Sequence, residues 1–140
     1  MSSLVIVSGQ DGRGADALRT GIASAIEAGL TIRAVVSLGP FWVNGEPPFP
    51  TLVLLPQARR ARLAPVRGWN LLMHRFRLAR VTRTEPDVLN WLATADAVAI
   101  DHSNAALAGW RLARRLEATP VMWGVPAGIR AAIESAKEKK

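Results

Sequence analysis

The sequence predicts a three-layer α/β fold, with a mostly parallel sheet of about five strands and helices on both faces. Three observations lead there. Five short apolar runs rich in β-branched residues are spread along the chain, as strands covered on both faces require. Segments with apolar residues three and four apart separate most of them, which is the helical period. The first run passes into a glycine-rich turn, SGQDGRG over 8–14, with a helical pattern behind it. At 140 residues the chain has room for one domain with a real core and too little for two. The organisation expected is a single α/β domain with a basic insertion at about 56–84.

The first strand is the unbroken run LVIV over 4–7. A helix follows over 15–28, with Leu18, Ile22, Ala25 and Ile26 as its apolar stripe and Gly29 as its natural stop. TIRAVVSL over 31–38 is the second strand, and strand, helix and strand in this order form a parallel βαβ unit. Four prolines and two glycines make 39–50 a loop. Its Phe41, Trp42 and Phe49 either tack it onto the core or form a lid or stacking platform, and the first use is the commoner one for aromatic side chains. A third strand over 51–55 ends at Pro56. Residues 57–67 form a basic connector, and 68–80 reads as a helix with Trp69, Leu72, Met73 and Phe76 on one side; a strand over 76–81 is the competing assignment. Thr84-Glu85-Pro86-Asp87 reads as a helix start, with Thr84 as cap and Asp87 completing the box. Val88, Leu89, Trp91, Leu92 and Ala95 then make an apolar face. The fourth strand is 96–101, followed by a turn in which Ser103 or Asn104 caps a helix over 105–118. A fifth strand over 119–125 and a terminal helix over 127–138, buried through Ile129, Ala132, Ile133 and Ala136, complete the chain.

The absence of cysteine excludes disulfides, thiolate metal sites and cysteine nucleophiles, and two histidines argue against a histidine-rich metal site. No apolar stretch is long enough to cross a bilayer, and the first apolar run lacks the basic flank and length of a signal peptide. These features predict a soluble, cytoplasmic protein without a membrane partner. The net charge is +7, but it is concentrated: 47–84 contains no Asp or Glu and eight arginines, Arg59, Arg60, Arg62, Arg67, Arg75, Arg77, Arg80 and Arg83. Fifteen arginines stand against three lysines. A GC-rich genome explains that ratio blandly; phosphate recognition by guanidinium forks explains it functionally.

In open parallel sheets, ligands bind beyond the carboxyl ends of the strands. Two segments fall there: Ser8, Gly9, Gln10, Asp11, Gly12, Arg13 and Gly14 after the first strand, and Asp101, His102, Ser103 and Asn104 after the fourth. If those strands are neighbours, their turns face a shared crevice suited to a phosphate, a nucleotide or a sugar phosphate. The spacing is neither GxGxxG nor GxxxxGK[ST], and an ordinary tight turn is the alternative use of Gly12 and Gly14. For catalysis, Ser8, His102 and Asp11 would have to assemble across the crevice. His102 alone is a general acid or base near neutral pH, or simply a capping residue. Asp11 is a base or a cap, and Asp16 favours the helix dipole.

SGQDGRGADAL over 8–18 resembles the first motif of the SLOG superfamily of Rossmann-like nucleotide-binding proteins, which includes lysine-decarboxylase-like LOG proteins and DNA-processing proteins. The run ADAVAIDHSNAALAGWRLARRLEATPVMW over 95–123 is similar to that group's second half and to nucleoside deoxyribosyltransferases. The resemblance implies a Rossmann-like fold with a nucleotide as ligand. Enzymes of these groups carry a glutamate one turn into the second helix, after a glycine-threonine pair. Here the turn is Ser103-Asn104-Ala105, Gly109 stands near that helix position, and Glu117 lies at the far end. The resemblance therefore extends to binding and not to N-glycosidic cleavage.

Three functions compete. The first is a Rossmann-like binding protein for a nucleotide or related phosphorylated small ligand. The second is a nucleic-acid-associated protein that holds the phosphate backbone through the arginines of 59–83, with Trp69 and Phe76 available to stack bases. The third is an interaction protein that buries this segment against an acidic protein or a second copy of itself, a homo-oligomer that an exposed Trp91 or Trp110 would favour.

Overall fold

The computed structural model describes residues 2–54 and 67–139, and for 67–72 the backbone only. The basic connector, with Arg59, Arg60 and Arg62, lies outside the described residues, as do the side chains of Arg67, Trp69 and Leu72.

Strands β1 (Ser3–Ser8), β2 (Thr31–Ser37), β3 (Thr51–Val53), β4 (Ala97–Asp101) and β5 (Val121–Trp123) form one sheet in the order β3-β2-β1-β4-β5. Every pairing is parallel. The chain winds from β1 through β2 to β3 on one side, then returns to place β4 against the other edge of β1. The β1–β4 boundary is thus where the winding reverses, the position at which open α/β sheets hold ligands. Five helices complete the described fold: α1 (Ala15–Glu27), α2 (Arg67–Thr84), α3 (Pro86–Thr94), α4 (Ala106–Arg115) and α5 (Val125–Glu138).

Strand side chains alternate between the two faces, and the core divides accordingly. Val5, Val7, Val36, Val98 and Ile100 pack with Leu78 of α2, Val88 and Leu92 of α3, and Ala108 and Leu112 of α4. Leu4, Ile6, Ile32, Val35 and Ala99 pack with Leu18, Ile22 and Ala25 of α1, Ala132 of α5 and Phe41 of the 39–50 loop. This is the three-layer arrangement expected from the apolar runs. Gly109 and Gly128 bring helices close to the sheet: a Cβ would lie 2.8 Å from Ile100 Cγ1 at Gly109 and 2.6 Å from Ala99 Cβ at Gly128.

Several local expectations are corrected. Residues 76–81 are helical, within α2, so the strand alternative falls. Among the described side chains of α2, Leu78, Ala79 and Thr82 are buried, whereas Met73, Phe76 and the arginines are exposed. Thr84 does not cap α3. It is the last residue of α2 and its hydroxyl donates to the Arg80 carbonyl at 2.9 Å, while Glu85 occupies the cap position ahead of Pro86. Glu85 makes no side-chain cap hydrogen bond. Ile26 is 53 % exposed, because α1 presents only a three-residue stripe to the sheet. Gly29 does stop that helix, at φ 85, where a left-handed residue closes the turn.

A polar clip fastens the starts of β1 and β4. The Ser3 N–H donates to Asp96 Oδ2 at 2.8 Å, the Ser3 hydroxyl to the same oxygen at 3.2 Å, and Lys139 Nζ approaches Asp96 Oδ1 at 3.0 Å. Burial pushes the Asp96 carboxyl up, but the Ser3 N–H, the Lys139 ammonium and the Ser3 hydroxyl outweigh it and hold its pKa below the ordinary 3.8. A carboxyl depressed on folding contributes stability above its unfolded pKa and loses it as pH falls through the folded value. Asp96→Asn is therefore expected to cost about 1–2 kcal/mol near neutrality. The gap should narrow as pH falls below about 4. Urea titrations of both proteins at stepped pH check this; a gap of constant size across the acid range contradicts it.

Candidate functional site

β1 and β4 lie side by side with Ser8 opposite Asp101, and their following turns do meet. They meet too closely to leave a crevice. The Gly9 N–H donates to the Asp101 carbonyl at 2.9 Å, and Asn104 Nδ2 donates to the Gly9 carbonyl at 3.1 Å. A Cβ on Gly9 would lie 2.6 Å from both Ala105 N and Asn104 Cβ. The glycine is there so that the single 3-10 turn after β4, Ser103–Ala105, can seat directly on the end of β1. The expected hollow between the two turns is filled by Asn104, which is buried.

The open space lies one strand over. A cavity of about 1050 Å³ separates the β1–α1 turn from the loop that follows β2. One wall is Gly12, Gly14, Ala15, Asp16 and Arg19; the other is Pro40, Trp42, Val43 and Gly45, with Val53 of β3 beside them. Gly12 and Gly14 hold φ 118 and 86, conformations that bare the turn backbone toward this space. Gly14 is the N-cap of α1 and the helix has no side-chain cap, so its positive dipole end faces the cavity region beside the Asp16 carboxylate of its first turn. The 39–50 loop is held by Phe41, whose ring is buried, meets Trp42 edge-on at 5.3 Å and stacks with Phe49 at 6.4 Å. Arg19 ties that loop to α1, donating through Nη1 to the Phe41 carbonyl at 2.5 Å while pairing through Nη2 with Asp16. Phe41 thus tacks the loop onto the core, and the half-buried Trp42 lines the cavity.

Ser8, Gly9, Gln10 and Asn104 lie beneath this surface. Ser8 Oγ donates to Asp101 Oδ2 at 2.7 Å, clasping the ends of β1 and β4. Gln10 is fully buried: its Nε2 donates to the Gly39 carbonyl at 2.6 Å and Ser37 Oγ at 3.0 Å, and its Oε1 accepts the Gly12 N–H at 2.7 Å. It brackets the glycine turn to the end of β2. Asp11 accepts the Arg13 N–H at 3.4 Å, closing the turn rather than capping α1, and Arg13 is exposed. Ser8, His102 and Asp11 form no hydrogen-bonded relay: Ser8 is committed to Asp101, and His102 Nδ1 accepts the Asn104 N–H at 3.2 Å. Of the expected ligand residues, Gly12 and Gly14 line the cavity; Asp101, His102, Ser103 and Asn104 do not.

His102 nonetheless stands out. It caps the 3-10 turn from φ 72 and ψ 144, a region that essentially only glycine occupies without strain, and its Cδ2 lies 3.8 Å from where a Gly14 side chain would begin. Strain of about 1–3 kcal/mol is set against a cap of about 1 kcal/mol. His102→Gly is accordingly expected to leave thermal stability level or raise it slightly. A clear fall in Tm on calorimetry would show that the imidazole contributes more packing than strain.

The remaining site residues, Ala15, Asp16, Arg19, Pro40, Trp42, Val43, Gly45 and Val53, were absent from the expected ligand set. The signal was available in the βαβ reading: with β2 beside β1, the loop after β2 overhangs the same turn. A smaller hollow of about 550 Å³, lined by Glu117, Pro120 and Glu134 among others, lies at the amino end of β5, away from the strand ends where ligands gather. Among known proteins, no family model, no curated protein and no solved structure matches the chain.

Proposed function

We propose that the protein binds a nucleotide or related phosphorylated small ligand in the cavity between the β1–α1 turn and the 39–50 loop. The observation that carries this reading is the pairing of two unlike walls: bare glycine backbone at an uncapped helix N-terminus on one side, and Trp42 on the other. Phosphate oxygens suit the first, because the first-turn N–H groups of α1 and the helix dipole favour negative charge. A base suits the second, since an aromatic ring offers a stacking face. Asp16, its charge offset by Arg19, offers acceptors to sugar hydroxyls. The size agrees with small-molecule sites of roughly 300–1,000 Å³. β2 ends in Ser37 rather than the carboxylate that dinucleotide sites place on a ribose, which favours a mononucleotide. Membership of the SLOG superfamily is part of this proposal, as is a binding role without N-glycosidic cleavage.

Thermal unfolding with inorganic phosphate, AMP, ADP, ATP, GTP and a sugar phosphate tests it. A ligand at 100 times its Kd stabilises by about 2.7 kcal/mol, which for a chain of this size is a Tm rise of roughly 5–10 °C. Trp42→Ala should remove the preference for nucleotides over inorganic phosphate while leaving the unliganded protein folded. No shift with any of these compounds overturns the reading.

A further inference from the structure

The two helical layers differ sharply in charge. α2 and α4, which pack against each other on one face of the sheet, contain no acidic residue. Their described side chains include seven exposed arginines: Arg75, Arg77, Arg80, Arg83, Arg111, Arg114 and Arg115. None of the seven is in an ion pair with a described carboxylate. α1 and α5 on the opposite face carry Arg19, Arg130 and Lys137 against Asp16, Glu27, Glu134 and Glu138, close to neutrality. The basic layer also holds exposed Met73, Phe76 and Trp110, and the Arg114 guanidinium lies 4.8 Å from the centre of the Trp110 ring. On α2 the outward stripe runs from apolar to basic: Met73, Phe76, Arg77, Arg80 and Arg83 follow one another at helical spacing.

We propose that this α2–α4 face docks single-stranded nucleic acid, arginines on phosphates and the Phe76 and Trp110 rings against bases. Against these seven arginines the same layer sets only Glu85 and Asp87 at the start of α3 among the described residues, so it stays strongly cationic, and the seven cations are all guanidinium forks, which match phosphate geometry. Aromatic rings interleaved with cations are what a flexible strand uses, because every base has a stacking face. A second copy of this chain is disfavoured: the face would repel itself, and the opposite layer is too nearly neutral to complement it. Duplexes would engage the arginines but leave the rings idle, so the single strand is the favoured form.

Fluorescence anisotropy with labelled dT and U 20-mers and a duplex control tests the proposal on the full chain. With about four phosphates engaged, single-strand affinity should fall about 50-fold between roughly 50 and 200 mM salt. The triple variant Arg77→Glu/Arg80→Glu/Arg114→Glu should lose all measurable binding at the higher salt; if it melts early, Arg77→Gln/Arg80→Gln/Arg114→Gln replaces it. Trp110→Ala should weaken the single strand about tenfold with an unchanged salt slope, as loss of stacking predicts. Arg130→Glu, on the other layer, should change nothing. DNA and RNA arms distinguish the sugar. Absence of binding at low salt, equal weakening by Arg130→Glu, or tighter binding of polyglutamate or anionic vesicles than of either 20-mer overturns the proposal. So does concentration-dependent self-association abolished by the triple variant, which would assign the face to a second copy.

Discussion

Gly9→Ala is expected to destabilise the protein by about 3 kcal/mol, lowering Tm by about 10 °C. The added methyl would sit 2.6 Å from Ala105 N and 2.7 Å from the Asn104 carbonyl carbon. Both are backbone atoms of the turn that follows β4, so no side-chain rotation relieves the clash. The turn has to lift. Lifting it breaks the Asn104 bond to the Gly9 carbonyl and strains the Gly9 bond to Asp101. Gly29→Ala is the matched control. Gly29, unlike Gly9, has positive φ, at 85, and a Cβ there meets nothing within 4 Å, so its cost is backbone strain alone, about 1 kcal/mol. Chemical denaturation of the two variants separates crowding from strain. Equal losses would mean that the two turns are farther apart than the structure places them.

Gln10→Ala is expected to be nearly as damaging, at about 2–4 kcal/mol, and to abolish any nucleotide-dependent rise in Tm. Its buried amide reaches Ser37, Gly39 and Gly12 at once. Removing it empties a space in a packed interior, leaves the Gly12 N–H without its acceptor, and frees the start of the 39–50 loop from the glycine turn. These are the two walls of the proposed ligand cavity, so stability and binding fall together. Gln10→Glu separates polarity from volume. It keeps the acceptor for Gly12 but turns a carboxylate oxygen toward the Gly39 carbonyl, where the native amide donates; it should be at least as destabilising as the alanine at neutral pH. A Gln10→Glu protein of native stability would show that the amide is not the bracket described.

The fold was legible because its signals are periodic and local. Runs such as 4–7 and 96–101 announce strands by composition, and Leu18, Ile22 and Ala25 announce the first helix by spacing. Position along the sheet was legible too, since β1 does lie against β4. What spacing could not convey was how close the two turns come. That distance follows from Gly9 and Asn104 fitting each other, a contact between residues far apart in sequence, and it moved the cavity to the β2 side. Gln10 looked like a ligand residue because a polar side chain in a glycine turn usually faces outward; its three internal partners come from the end of β2 and the turn itself. The orientation of α2 failed for a different reason. With arginines and apolar residues interleaved over 72–83, several faces can be drawn, and the choice is made by α3 and α4 rather than by α2 itself.

The pairing of β1 with β4 also bears on how the chain is made. Ser3 and Asp96, joined at the start of these strands, are 93 residues apart. During synthesis at about 5–20 residues per second, β1 can pair with β2 early but must wait several seconds for its other neighbour. Throughout that interval the run Leu4-Val5-Ile6-Val7 presents a bare apolar margin, the kind of margin to which a second nascent chain can add. Crowded polysomes should therefore be the condition under which this protein most needs a holdase, and slow, dilute expression the one under which it needs none.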